Sequence, residues 1–347
     1  MARDPDADDS AAWPLPRITS ALFGHGEAER ALLEAYRTGR IPHAWLIGGP
    51  PGIGKATLAY RMARFVLSHP DASAAAVRET PTLAVSPSHP VARQIAGQAH
   101  PDLLVLERTE NESGNLRTVV TVEQVRRTIS FFGSTAGAGG WRVCIVDSAD
   151  ELQLPQASNA LLKVLEEPPP RALFLLVSHS PGRLLPTIRS RCCRLELRAL
   201  GAGEVAQAAA AALDRSPDDA QVRAAATAAD GSVARALTLL GGEGLALRER
   251  VVRLLAALPS TDPRALHALS DSLAVADADT LATFIDVVRD WLSARLASAP
   301  QEPRTLIRIA DAWDKISSTA EDVAVYNLDR RPLVFSVFSV LAAAAST

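Results

Sequence analysis

Seven residues constrain most of what this chain can fold into. Gly49-Pro50-Pro51-Gly52-Ile53-Gly54-Lys55 lie between an apolar run, 44–48, and a segment with Leu58, Met62, Phe65 and Val66 at helical spacing. A strand, a glycine turn and a helix in that order aim backbone N–H groups and one lysine at an anion. A Gly/Pro turn before an ordinary helix is the bland alternative, and the strand and helix on either side oppose it. Lys55 as a plain solvated lysine is opposed by the helix dipole, which disfavours a cation at that end without an anion nearby. The next residue, however, is Ala56, where the motif places a Ser or Thr hydroxyl on magnesium. Thr57 carries a hydroxyl, but the adjacent helical position faces another way.

Two later stretches bear on the same chemistry. The strand pattern Arg142-Val143-Cys144-Ile145-Val146 ends in Asp147, suited to holding magnesium through water, yet Ser148 follows where a water-activating glutamate belongs. Ser190-Arg191-Cys192 sets an arginine at the mouth of another strand pattern, the kind of residue that stabilises a transferring phosphate when supplied in trans. Taken alone, Arg191 reads as a surface arginine. Gly49, Gly52, Gly54, Lys55, Thr57 and Asp147 are the candidate contacts of a degenerate nucleotide site with weak or absent binding. Weak ATP or ADP is compatible with them, and no cofactor is required.

Short apolar runs at 44–48, 103–106, 143–146, 173–177 and 193–197 alternate with helical patterns, which predicts an α/β fold with a parallel, helix-covered sheet. Residues 1–20 are acidic and polar and read as a disordered tail, with order beginning near Leu22. The segment 69–100 is rich in Ala, Ser and Pro and 110–115 is polar, so both read as irregular. His69, His89 and His100 have no cysteine or paired acidic spacing and read as solvated histidines. Thr121-Val122-Glu123-Gln124 offers a capping box for a helix carrying Val125 and Ile129. Cys192 and Cys193 read as packing at a strand start. Beyond residue 197 the chain is Ala-rich with breaks at 217–219 and 230–232, predicting about three small helices. After Gly241-Gly242 come two helical stripes: Leu281, Phe284, Ile285, Val288 and Leu292, capped by Asp279, then Leu306, Ile309, Ala310, Trp313 and Ile316. The expected domains are 21–198, 199–241 and 242–347.

The order of motifs resembles the clamp-loader branch of the AAA+ ATPases. Leu22-Phe23-Gly24-His25, Pro42-His43-Ala44-Trp45-Leu46, the phosphate loop, the run Ala157-Ser158-Asn159-Ala160-Leu161-Leu162-Lys163-Val164-Leu165-Glu166-Glu167-Pro168-Pro169 and Pro186-Thr187-Ile188-Arg189-Ser190-Arg191-Cys192 carry it. The degraded site and the tail Asn327-Leu328-Asp329-Arg330-Arg331-Pro332 are similar to the delta-prime family of bacterial DNA polymerase III. The resemblance implies a P-loop AAA+ domain, a helical lid and a C-terminal all-α collar. It also implies a stator that serves chromosomal replication without hydrolysing ATP. The implied partners are gamma/tau and delta subunits, with the sliding clamp and primer–template DNA reached through the complex. On the same basis Lys55 is the phosphate lysine, Asp147 the magnesium aspartate and Arg191 the arginine acting in trans. Glu166 and Glu167 read as a solvated helix end, with partner contact implied only by the family. Motor subunits place a sensor arginine third after the glycine of a Gly-Ser pair. Here Gly231-Ser232-Val233-Ala234-Arg235 puts Ala234 there, with the arginine one residue late and turned by about 100°. Many relatives carry a four-cysteine zinc module after the loop helix, but no cysteine lies between Lys55 and Trp141, so no zinc is expected.

Composition limits the alternatives. A net charge of −3 disfavours a free-standing DNA-binding protein, which would carry a Lys/Arg excess. Three cysteines give no disulfide framework, and there is no apolar N-terminal stretch or membrane-length run, so a cytoplasmic, non-membrane location is expected. The competing enzyme reading is an active AAA+ ATPase, either a motor subunit or a helicase loader. Ala56, Ser148 and Ala234 weigh against it.

Overall fold

The structure, a computed structural model, describes residues 13–109, 117–133, 140–298, 303–326 and 328–345. The chain divides into two compact units, 1–236 and 237–347. In the first, the elements run α1 (Gly26–Arg37), β1 (Ala44–Gly48), α2 (Lys55–Ser68), α3 (Ala75–Glu79), α4 (Pro90–Ala96), β2 (Leu103–Glu107), α5 (Val122–Gly133), β3 (Arg142–Asp147), α6 (Gln156–Glu166), β4 (Ala172–Ser178), α7 (Pro186–Arg189), β5 (Cys193–Glu196), α8 (Ala202–Leu213) and α9 (Ala220–Ala228). Helix α10 (Val233–Leu240) spans the boundary, so α8 and α9 go with the sheet.

All five strands pair in parallel, in the order β2-β3-β4-β1-β5. Strand side chains alternate between faces with a period of two. Trp45, Ile47, Val143, Ile145, Leu173, Leu175 and Val177 join a core with Leu32, Tyr36, Leu58 and Phe65 of α1 and α2. Ala44, Leu46, Cys144, Val146, Phe174 and Leu176 join Val125, Phe132 and Leu161 of α5 and α6 on the other face. Burial on both faces explains why the strands read as unbroken apolar runs. The Thr121 capping box forms: the Gln124 amide N–H donates to Thr121 Oγ1 at 3.4 Å, and Thr121 N–H donates to Gln124 Oε1 at 2.9 Å. The buried stripe of α5 is Val125, Thr128 and Phe132, whereas Ile129 is 52% exposed.

Order starts earlier than expected. Residues 1–12 lie outside the described residues, but 13–20 form a turn that Arg64 of α2 holds by donating to the carbonyls of Thr19 (2.6 Å) and Pro16 (3.4 Å). A buried guanidinium needs acceptors, and this segment supplies them. The loop expected at 110–115 lies outside the described residues. The segment 69–100 is irregular only in part: it also forms α3 and α4 and buries Val77, Leu83 and Ile95 in the core of the α1/α2 face. Glu29 of α1 accepts from the Leu83 N–H at 2.9 Å, and Arg37 donates to the Val77 carbonyl at 2.8 Å. Its histidines are bonded to nearby backbone. His89 Nδ1 caps α4 by accepting from Val91 N–H at 3.3 Å, His100 Nδ1 accepts from Asp102 N–H at 3.1 Å, and His69 Nδ1 donates to the Phe65 carbonyl at 3.0 Å.

The second unit is helical: α11 (Gly244–Ala256), α12 (Pro263–Ala274), α13 (Ala278–Ser298), α14 (Pro303–Tyr326) and α15 (Arg331–Ala345). The stripe Leu281, Phe284, Ile285, Val288 and Leu292 is buried as its spacing predicts, with Val251, Ile316, Val334 and Phe338 opposite. Two details differ. The cap of α13 is Asp277, which accepts from the Thr280 N–H at 2.7 Å. On α14, Ile309 and Ile316 are buried as expected, but Ala312 is buried with them while Ala310 is exposed. Of the tail motif, Asn327 lies outside the described residues, and Arg330 donates to the Ala276 carbonyl beyond the end of α12.

Packing and α1 contacts hold the 69–100 segment, and among the described residues no group of three or more His, Cys, Asp or Glu side chains could take a metal. Stripping divalent metal with EDTA is therefore expected to leave thermal unfolding unchanged. Leu83→Ala is expected to cost roughly 2–5 kcal/mol. A Tm lowered by chelator would contradict this.

Candidate functional site

The turn after β1 runs through backbone that favours glycine: φ is 142° at Gly49, 73° at Gly52 and 98° at Gly54. Gly54 caps α2, and Lys55, its first residue, is only 3% exposed. A buried ammonium needs acceptors. Here Lys55 Nζ donates to the Gly49 carbonyl at 2.7 Å and to the Pro50 carbonyl, so the lysine is turned onto its own loop. Burial pushes it down to about 8, against the opposing pull of Asp147 and Asp150.

The loop is held from two further directions. His25 Nε2 donates to the Ile53 carbonyl at 2.8 Å. On the other side the Ala234 N–H donates to the Gly52 carbonyl at 3.2 Å. A Cβ on Gly52 would stand 2.2 Å from Ser232 Oγ and 2.9 Å from Ala234 Cβ. The Gly-Ser turn before α10 thus sits on the loop's glycine. Arg235 points elsewhere, pairing with Asp230 at 3.4 Å.

Across the carboxyl ends of β2, β3 and β4 lie the remaining groups. Asp147 ends β3, and burial pushes its carboxyl up to about 6, with Glu107 adding to the rise and Lys55 opposing it. Ser148 is buried, with Oγ 3.0 Å from His179 Nε2, and the His179 backbone N–H donates to Asp150 Oδ1 at 3.0 Å. Burial, with Lys55 next, holds the His179 imidazole below its ordinary value. The motifs of the sequence do not single out His179. A signal exists all the same, since register sets Asp147 beside Val177 and so puts residues 148 and 178–179 at one edge. Ala56 and Thr57, at the start of α2, are both half-buried.

A magnesium nucleotide is a poor fit to these residues. The lysine is bonded to carbonyls, the lid turn stands against Gly52, Ala56 offers no ligand oxygen, and the position for activating water holds a serine paired with a histidine. The structure brings Gly49, Gly52, Gly54, Lys55 and Asp147 together. Arg191 stands apart from them, at the end of α7. Its Nη2 pairs with Glu166 Oε1 at 2.7 Å, and its Nη1 donates to the Thr187 carbonyl at 3.0 Å. Glu166 is therefore an ion-pair partner as well as a helix end. Cys192 packs partly into the α5/α6 face, while Cys193 is exposed at the edge strand, and all three cysteines are free.

The family model described as DNA polymerase III, delta subunit, matches residues 24–201. DNA polymerase III subunit delta' of Escherichia coli K12 is 34% identical over 260 residues, 73% of this chain and 72% of that protein. The chain belongs to the delta' family of DNA polymerase III subunits. The Pseudomonas aeruginosa subunit delta' is 38% identical over 178 residues, 51% of this chain, and the match spans only 50% of that relative. The DNA polymerase III subunit tau of Salmonella typhimurium is 28% identical over 272 residues, 76% of this chain and 39% of its own length. The family match ends at residue 201, so it covers the sheet and the loop but not α8 to α15. No helix among the described residues is long and apolar enough to cross a membrane.

Two outcomes test this geometry. Gly52→Ala combines a positive φ with a clash and is expected to destabilise the first unit by about 1–3 kcal/mol. Ser232→Gly in the same chain should recover only the part due to the Ser232 hydroxyl and leave the Ala234 contact and the backbone strain, so full recovery would contradict the φ argument. The second concerns pH. A carboxyl raised from 3.8 to about 6 contributes stability at low pH that is lost as pH rises through the folded value. Chemical denaturation of Asp147→Asn should accordingly gain roughly 2–3 kcal/mol on the parent chain between pH 4 and 6.5. A difference flat across that range would show that Asp147 is not desolvated.

Proposed function

We propose that this chain is a non-hydrolysing subunit of a clamp loader within the DNA polymerase III assembly. In this reading it serves as a stator beside gamma/tau and delta subunits and helps to place a sliding clamp on primed DNA. It contributes Arg191 to the ATP site of a neighbouring motor subunit and does not turn over ATP itself. The observation that carries the reading is the contrast between its two phosphate-directed groups. Lys55 is buried and satisfied by its own loop, while the Arg191 side chain is 34% exposed at the end of a short helix. The family membership and the tau relative support the setting.

The chemistry of Arg191 is electrostatic. Negative charge spreads over phosphate oxygens as the phosphoryl group transfers, and a guanidinium brought in by a neighbour stabilises it. The backbone that carries this guanidinium is fixed, because the Arg191 N–H donates to the Ile188 carbonyl at 3.1 Å and Ile188 is fully buried. Assembly would thereby control hydrolysis. On the chain's own site, Ser148 cannot replace a carboxylate base, so Ala56→Thr alone should create no ATPase.

The test is a reconstituted complex with gamma/tau and delta subunits, clamp and primed DNA. Arg191→Ala should leave folding and assembly intact and lower stimulated ATPase. Arginine fingers are worth about 10³ to 10⁵ in rate at the site they serve, and the other sites of a ring would keep their activity. Arg191→Lys should rescue only in part, because a point charge lacks the fork of donors. Lys55→Ala should matter far less. Unchanged ATPase at equal assembly for Arg191→Ala would contradict the role in trans, and ATP turnover by the chain alone, lost in Lys55→Ala, would contradict the non-hydrolysing role.

A further inference from the structure

We propose that Glu166 is a resting site for Arg191, holding its guanidinium in the unassembled chain and competing for it with a neighbouring subunit's nucleotide phosphate. This rests on the trans role of Arg191 proposed above and adds a group that regulates it. The Arg191 fork is shared between two kinds of acceptor. Nη1 is tied locally, to the Thr187 carbonyl at 3.0 Å and Ser190 Oγ at 3.5 Å, whereas Nη2 reaches 25 positions back in the sequence to Glu166 Oε1 at 2.7 Å. A carboxylate oxygen at that distance is a charge-assisted acceptor of the same kind as a phosphate oxygen.

The location of Glu166 gives the pair its meaning. It is the last residue of α6, where carbonyl ends already concentrate partial negative charge and a carboxylate is disfavoured. Glu167 adjoins it, exposed. This helix end attracts a cation, and the turn after α7, a helix packed against α6, presents one. Because the backbone at Arg191 is pinned beside buried Ile188, capture by a phosphate requires only the side chain to swing. The side chains of Arg191 and Glu166 are 34% and 49% exposed, so a phosphate can reach the pair and displace the carboxylate. An exposed pair of this type is weak, which suits a contact that must yield to phosphate on assembly.

Glu166→Gln tests this in two settings. In the isolated full-length chain, modification by phenylglyoxal mapped by mass spectrometry should be about two- to fivefold faster at Arg191, the size expected for loss of an exposed pair. Exposed Arg194 serves as the internal control and should not change. In the reconstituted complex without clamp or DNA, the same variant should raise ATPase, by less than that factor because only the site that Arg191 serves is affected, and lower the ATP concentration giving half-maximal rate. Arg191→Ala and the double variant should both remain low. An increase is not what structural damage would produce. Equal reactivity of Arg191 in the two chains, or an unstimulated ATPase at or below that of the parent, overturns the proposal while leaving the trans role intact if Arg191→Ala is low. If Arg191→Ala is itself without effect, the trans role fails and this proposal fails with it.

Discussion

A buried ammonium that must find acceptors organises the phosphate-loop site of the first unit. Desolvating Lys55 is costly, as its fall to about 8 reflects, and a phosphate would be the natural partner at such a loop. Here the Gly49 and Pro50 carbonyls and the field of Asp147 take that part. The consequences spread outward. The loop's carbonyls serve its own lysine, His25 and Ala234 bind the carbonyls beside it, and the turn before α10 lies against Gly52. The sheet edge, the phosphate loop and the turn before α10 are thereby tied together.

Ser148 and His179 follow from the same constraint. A glutamate at position 148 would add a charge beside Asp147, whose carboxyl is already pushed up to about 6 by burial. A serine bonded to the His179 imidazole adds no such charge at the polar edge of the sheet. Of the three positions that depart from an ATPase pattern, Ser148 places its hydroxyl on His179 and Ala234 places its backbone N–H on the Gly52 carbonyl, while Ala56 is half-buried at the start of α2.

Much of this is legible in the sequence because it rests on strong periodic signals. Strands buried on both faces must read as apolar runs, and a capping box announces itself in four letters, so the sheet, α5 and the stripe on α13 follow directly. The 69–100 segment does not, because α3 and α4 are short and are held by long-range bonds from Glu29 and Arg37 that no local pattern encodes. Residues 13–20 read as a tail for the same reason, since their order comes from the reach of Arg64 across 45 positions. In the site, the loop residues and Arg191 are visible as motifs. The direction in which Lys55 points, the seat of Ser232 on Gly52 and the Arg191–Glu166 pair depend on tertiary geometry and are not.

The most direct measurement is equilibrium binding of Mg-ATP to the intact chain, followed by calorimetry beside Lys55→Ala. A lysine satisfied by its own loop predicts no saturable binding below about millimolar nucleotide and no difference between the two chains. Micromolar affinity abolished by Lys55→Ala would show that the lysine readily leaves its carbonyls for phosphate, and would contradict the account.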